Sequence, residues 1–145
     1  MARMIAKAKT SRVNRVSKPA PSSDASAYDR DLDQWPRSWM GLGKDVPPGE
    51  QLLACFRPFI GHLASSSLSP KTIRRHVNNL WLLGGEIIRD LNDDSSLRKF
   101  AAERLLRQTV YEDGGPLIHT ASEDEQRSFD STCRKLHRFL NQPRP

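Results

Sequence analysis

At 145 residues, the chain is long enough for one domain with tails and too short for two domains of ordinary size. Its net charge of +6 and isoelectric point of about 9.7 favour a polyanionic partner, either nucleic acid or an anionic membrane surface. No apolar stretch approaches the roughly 20 residues of a transmembrane helix, and two cysteines are too few for a disulfide scaffold, so both classes are excluded.

The first 23 residues are rich in cations and contain no acidic residue. Pro19 and Pro21, followed by a pair of serines, interrupt any regular structure there. We interpret residues 1–23 as a disordered basic arm suited to lying along a phosphate backbone, with a tail of no specific function as the alternative. The cations of this segment are Arg3, Lys7, Lys9, Arg12, Arg15 and Lys18.

Residues 24–47 combine aromatic side chains with residues that break regular structure. Tyr28, Trp35, Trp39 and Met40 supply apolar contact surface, whereas glycines and prolines punctuate the second half. We therefore predict a linker that docks on a folded domain. The tryptophans are interpreted as a hydrophobic clamp on that domain rather than as a platform on which bases stack.

A helical pattern begins near Pro48 and predicts one helical domain over residues 48–141. The first helix is expected over about 48–63, because its large apolar residues recur at helical spacing. Pro58 removes the hydrogen bond that its amide would have made to Ala54, so we expect a kink there. The apolar face consists of Leu52, Phe56, Phe59, Ile60 and Leu63.

The second predicted helix, which begins at Ser69, is the most informative segment. Ser69 is a good N-cap, and Pro70 sits where a missing N–H costs nothing. An apolar stripe on one side leaves cations and amides on the other. Cations neutralise phosphates and Asn side chains read base edges, so we assign phosphate contacts to the cations and base contacts to Asn78 or Asn79. The candidate DNA-binding residues are Lys71, Thr72, Arg74, Arg75, Asn78 and Asn79.

Two glycines interrupt this helix in its second half. Either the helix ends at Gly84-Gly85, or Gly84 lets another helix approach closely. Because the apolar stripe resumes afterwards, we expect the helix to continue to about Leu91. Leu82 falls on the basic side, with Trp81 at its border, and the pair is a candidate contact for a protein partner.

Two further helices are predicted before the C-terminus. The third opens at Asp94 or Ser95 and runs to about residue 108, and a Gly-Gly-Pro break follows. The fourth begins at Ser122, which forms a capping box with Glu125. Its inward face is formed by Phe129, Cys133, Leu136 and Leu140. Its opposite side carries Arg127, Arg134 and Arg138, which either face solvent or contact phosphate. No segment alternates like a strand, so the fold class is all-α, a small bundle of four to five helices.

Two segments resemble a known family. Residues 56–63 (Phe-Arg-Pro-Phe-Ile-Gly-His-Leu) and 68–73 (Leu-Ser-Pro-Lys-Thr-Ile), followed by Val77, Leu80 and Leu83, are similar to the N-terminal core-binding domain of tyrosine recombinases and phage integrases. The resemblance implies a SAM-like bundle that clamps one side of the recombination-site duplex. Residues 69–77 also resemble the recognition helix of regulators with a C-terminal helix-turn-helix. Both resemblances imply DNA contact through the helix that starts at Ser69.

The recombinase pattern is incomplete in this sequence. Strand cleavage in that family needs a further domain with two arginines, a lysine, histidines and a tyrosine nucleophile. The sequence ends at Pro145, soon after the last predicted helix, and its two tyrosines, Tyr28 and Tyr111, lie near no His-x-x-Arg motif. We therefore expect a non-enzymatic DNA-binding protein with no cofactor, metal or small-molecule substrate. It would be a stand-alone protein of a mobile element, a partner of a full-length recombinase, or the remnant of a longer gene.

The main alternative is a helical protein-interaction module. It would associate with itself or with a recombinase through Trp81, Leu82 and the apolar linker, with little dependence on salt. A weaker alternative is contact of the basic arm with an anionic membrane. We expect a cytoplasmic location, associated with the nucleoid if the cell is bacterial.

Overall fold

The structure, a computed structural model, describes Tyr28 and residues 31–142. The predicted basic arm, residues 1–23, lies outside the described residues. Over the described part the chain is all-helical, as predicted, and contains five α-helices. They are α1 (Trp35–Trp39), α2 (Val46–Ala64), α3 (Pro70–Asp93), α4 (Ala102–Thr109) and α5 (Glu123–Asn141), with short 3-10 helices at Leu32–Gln34, Gly43–Asp45 and Ser95–Lys99. None of these helices has the length and apolar character needed to cross a membrane.

Helix α2 lies at the centre of the fold and contacts α1, α3 and α4. All five residues of its predicted apolar face are buried, each with 2% exposure or less. Burial of each such side chain contributes roughly 1.5–3 kcal/mol to the hydrophobic stabilisation of the core. Pro58 is exposed on the outer face, and the helix continues through it to Ala64.

Helix α3 is continuous across both glycines, which confirms the expectation that it passes through Gly84-Gly85. Gly84 is buried beneath the indole ring of Trp39, and a Cβ atom at this position would overlap that ring. Trp39 also packs edge-on against Phe56 at 6.4 Å and lies 5.7 Å from Trp35, measured between ring centroids. The lack of a side chain at Gly84 therefore creates the groove in which Trp39 lies.

The two tryptophans are carried by a helix that the sequence did not predict. Helix α1 has only five residues, with Pro36 in its first turn, and so it is too short to show a helical period. Trp35 and Trp39 are 7% and 9% exposed and belong to the core, as a clamp on the helical domain would require.

The prediction of the third helix is wrong for the first half of that segment. Residues Ser95–Lys99 form a 3-10 helix, Phe100 and Ala101 are extended with ψ of 146°, and α4 begins only at Ala102. The Asp94 carboxylate accepts hydrogen bonds from the Ser96 amide at 3.1 Å and the Ser96 hydroxyl at 2.6 Å, which favours a tight turn over an α-helical start.

The buried carboxylate of Asp45 holds three elements together. It accepts hydrogen bonds from the backbone amides of Gly41 and Leu42 at 2.8 and 2.9 Å, from Asn92 Nδ2 at 3.0 Å and from Arg98 Nη2 at 2.6 Å. Burial alone would raise the Asp45 pKa, but these four donors outweigh burial and hold that pKa well below its usual range. The loop before α2 is thereby fixed to the end of α3 and to the 3-10 helix that follows.

Candidate functional site

The start of α3 is built as its sequence predicts. Ser69 is the N-cap, and its Oγ accepts a hydrogen bond from the Thr72 amide at 3.2 Å. The same hydroxyl donates to Thr72 Oγ1 at 3.0 Å, and Pro70 occupies the first helical position. Thr72, one of the six candidate DNA-binding residues, is thus engaged in the cap and half-buried. It positions the first turn of α3 rather than reaching outward.

Four of the six candidates lie together on the exposed face of α3: Lys71, Arg74, Arg75 and Asn78. With Asn79 at the inner edge, they line an open depression of about 500 Å³. Three of these five lining residues are cations and none is acidic. We call the four exposed residues the α3 basic face. Glu125, which lines the adjoining cleft with Asn79 and Leu82, lies on the α5 side of this face.

Two of the cations on the α3 basic face are held in place by neighbouring side chains. Arg75 Nη1 donates a hydrogen bond to Ser128 Oγ of α5 at 2.8 Å, which uses one of the five guanidinium donors. The Arg74 guanidinium lies over the ring of Tyr28, 5.5 Å from its centroid, a cation–π arrangement. Lys71 and Asn78 have no hydrogen bond or ion pair with any residue that the structure describes. The face therefore combines two positioned cations with two side chains that can adjust to a ligand.

Asn79 lies inside the fold, 8% exposed, and this corrects its assignment as a reader of base edges. Its Nδ2 donates to Ser128 O at 3.2 Å, to Ser128 Oγ at 3.0 Å and to Thr132 Oγ1 at 2.9 Å. The apolar stripe of α3 placed this residue at the edge of the polar side, and only the position of α5 decides that the edge is covered. Of the two candidate asparagines, Asn78 alone faces solvent.

His76 is a buried residue that sequence reasoning did not single out. Its Nδ1 lies 2.7 Å from Thr132 Oγ1, and its side chain is fully buried between α3 and α5. Burial, together with the positive charges of Arg75 and Lys135, lowers the His76 pKa to about 4. The imidazole is therefore neutral at neutral pH and contributes no charge to the α3 basic face.

The two cysteines lie in or against the core. Cys133 is fully buried, and burial, reinforced by the charge of Asp130, raises its pKa to about 12. Burial and the charge of Glu103 raise the pKa of the half-buried Cys55 thiol as well. Both thiols are therefore protonated at neutral pH, which makes them poor nucleophiles. Among residues 31–142, no group of three His, Cys, Asp or Glu side chains is arranged to hold a metal ion.

A second exposed surface is apolar and lies further along α3. Met40, Trp81 and Leu82 are 44%, 40% and 37% exposed and line an open cleft of about 430 Å³ between α1 and α3. Trp81 is fixed there because its Nε1 donates to Ser38 Oγ at 2.9 Å, while Trp39 Nε1 donates to the Trp81 carbonyl at 2.9 Å. Leu82 follows Asn78 by one helical turn, so the apolar surface borders the α3 basic face.

Comparisons of the chain with protein-family models, with curated proteins and with solved structures found no match. The resemblance to the core-binding domain of tyrosine recombinases therefore rests on the residues quoted for it and stays a prediction. The same holds for the resemblance to a helix-turn-helix recognition helix.

Proposed function

We propose that the protein binds duplex DNA through the α3 basic face, without cleaving it. The observation that carries the proposal is the grouping of Lys71, Arg74, Arg75 and Asn78 on one open surface whose lining contains no acid. Three cations neutralise phosphates, and one exposed amide is available for a base edge or a phosphate oxygen. The resemblance to recombinase core-binding domains supports the same helix, and the net charge of +6 supports the same class of ligand.

The role proposed is binding alone, with no catalytic step. The ring of Tyr28 lies against Arg74, and Tyr111 belongs to a tight turn in which its backbone pairs with that of Gly114. Within the part of the chain that the structure describes, neither hydroxyl is hydrogen-bonded to an arginine or a histidine, the partners that a recombinase nucleophile uses. The protein would then act beside a full-length recombinase or alone in the compartment that holds the DNA, the cytoplasm in a bacterial cell.

The test is fluorescence anisotropy with a labelled random duplex over a series of salt concentrations. Replacement of three cations in Lys71→Gln/Arg74→Gln/Arg75→Gln removes three phosphate contacts, so the slope of log K against log salt falls by about 2.7. Affinity falls at least about a hundredfold at about 0.1 M salt. The matched control, Arg37→Gln/Lys44→Gln/Arg107→Gln, changes net charge equally at exposed positions outside α3. Equal loss in both triple variants would show that binding follows total charge and would contradict the assignment of the face.

A second candidate function is protein interaction through Met40, Trp81 and Leu82. Three large apolar side chains exposed around one cleft are the observation that favours it. Under this alternative, light scattering would show self-association that persists in high salt and is abolished by Leu82→Glu. A monomer at all concentrations, with unchanged DNA binding by Leu82→Glu, would leave DNA as the ligand.

A further inference from the structure

A second cation-lined cavity lies at the end of the bundle where α2 and α5 finish. It has a volume of about 290 Å³ and is bounded by the α2–α3 loop and the last turns of α5. Lys135 and Arg138, three residues apart on α5, both line it, and Ser66, Ser67 and Gln142 add polar groups. None of the lining residues is acidic, and neither cation is paired with a carboxylate of the described chain. We call this the α5 cavity.

The floor of the α5 cavity is apolar. Phe59 and Phe139 pack with ring centroids 5.4 Å apart, and Leu63 lies beside them. Such a wall lowers the local dielectric constant, so the attraction between the two cations and an anion is stronger there than on an open polar surface.

The helix termini around the cavity do not cancel its charge. The ends of α2 and α5 each contribute about half a negative charge, and the start of α3, just after Leu68, contributes about half a positive charge. Against this, Lys135 and Arg138 contribute two full positive charges. The sum is a positive charge of roughly 1.5, which exceeds what is needed to offset the dipole of α5.

The α5 cavity adjoins the α3 basic face because α3 and α5 run antiparallel. Asn79 meets Ser128, whereas the earlier residue His76 meets the later residue Thr132. Arg75 bonds to Ser128, and Lys135 follows Ser128 by seven residues on the same side of α5, about 10 Å along its axis. Arg75 and Lys135 also both act on the charge of buried His76, so the cations of the two sites lie on either side of this residue.

We propose that the α5 cavity binds a phosphate of the DNA backbone, next to the phosphates held by the α3 basic face. Lys135 and Arg138 neutralise this phosphate, and the Ser67 hydroxyl and Gln142 amide donate hydrogen bonds to its oxygens. The contact between the cavity and duplex DNA rests on the proposed function. The ability of the cavity to bind phosphate can be tested separately.

The first arm of the test uses DNA. Lys135→Gln/Arg138→Gln lowers the salt slope by about 0.9 and the affinity about five- to tenfold at about 0.1 M salt, as expected for one lost phosphate contact. The control Lys44→Gln/Arg107→Gln makes the same change in net charge at exposed positions elsewhere and leaves the slope unchanged. If the duplex binds and the two double variants behave alike, the α5 cavity does not contact DNA and the inference is overturned, while the α3 assignment stands.

The second arm uses inorganic phosphate and needs no folded variant. Titration of the wild-type protein, followed by amide NMR, gives saturable shifts at Ser67, Lys135 and Gln142. If no duplex binds but these shifts occur, the proposed DNA function fails and the cavity is a site for a free phosphate group. The cavity is rejected as a phosphate site if two results occur together. The wild-type protein shows no saturable shifts at these amides, and Lys135→Gln/Arg138→Gln has no effect on DNA binding.

Discussion

The indole ring of Trp39 lies directly on Gly84, so that α1 and α3 meet where α3 has no side chain. Gly84→Ala inserts a Cβ atom into the ring, and α1 has to move. Overpacking of this kind costs about 1–3 kcal/mol, which exceeds the gain of about 1 kcal/mol in helix propensity. We expect Gly84→Ala to lower the free energy of unfolding by up to about 2 kcal/mol, measured by urea denaturation.

The neighbouring glycine provides the control for this prediction. A Cβ at Gly85 would lie 3.5 Å from Trp39 Cδ1, an ordinary contact, so Gly85→Ala should raise stability by up to about 1 kcal/mol. If the two alanine variants had equal stability, Gly84 would not be the contact point of Trp39.

The adjacent asparagines of α3 should separate folding from binding. Asn79→Ala leaves Ser128 and Thr132 without their shared donor inside the fold, and we expect a loss of about 2–3 kcal/mol in unfolding free energy. Asn78→Ala, at an exposed position, should change stability by less than about 0.5 kcal/mol and reduce duplex affinity severalfold. Denaturation and anisotropy on both variants check the pair. A stable Asn79→Ala protein with weakened DNA binding would reverse the two assignments.

His76 should make the fold sensitive to mild acid. Its pKa falls from 6.5 to about 4 on folding, so the unfolded chain binds the proton more readily between these values. Stability is fully present above about pH 6.5 and is lost as the pH falls toward 4, by about 2–3 kcal/mol from this residue. His76→Met, which does not titrate, should flatten the curve of unfolding free energy against pH in this window. An unchanged slope would mean that the imidazole is protonated in the folded state.

Asp45 should govern a second, more acidic window. Its pKa is lowered from 3.8 on folding, so its contribution is present above that value and is lost as the pH falls further below it. Asp45→Asn removes the ion pair with Arg98 at every pH, and we expect about 2–4 kcal/mol less stability at pH 7. The variant should also lose less stability than wild type between pH 4 and pH 2. Equal acid profiles for the two proteins would exclude Asp45 as the titrating group.

Local sequence patterns predicted those parts of the fold that local physics decides. The Ser69 and Ser122 caps and the apolar stripes of α2, α3 and α5 depend on residues within one or two turns, and the structure confirms them. The same pattern predicted the grouping of Lys71, Arg74, Arg75 and Asn78, because all four occupy one helix face.

Long-range contacts decide what the sequence did not show. The burial of Asn79 depends on where α5 packs, 49 residues later in the chain. The break before α4 is accompanied by contact between Arg98 and Asp45, and Trp39 finds its groove only where Gly84 has been brought beside it. The cations of the α5 cavity were visible only as part of a charged helix, since the α2–α3 loop that completes the cavity is distant from Lys135 in sequence.

The contact between Tyr28 and Arg74 joins the predicted linker to the α3 basic face. Because the Tyr28 ring lies against the Arg74 guanidinium, the direction of one cation on this face depends on a residue that is not part of α3. The charge of the face is therefore set by one helix, but its geometry is set by two separate segments of the chain.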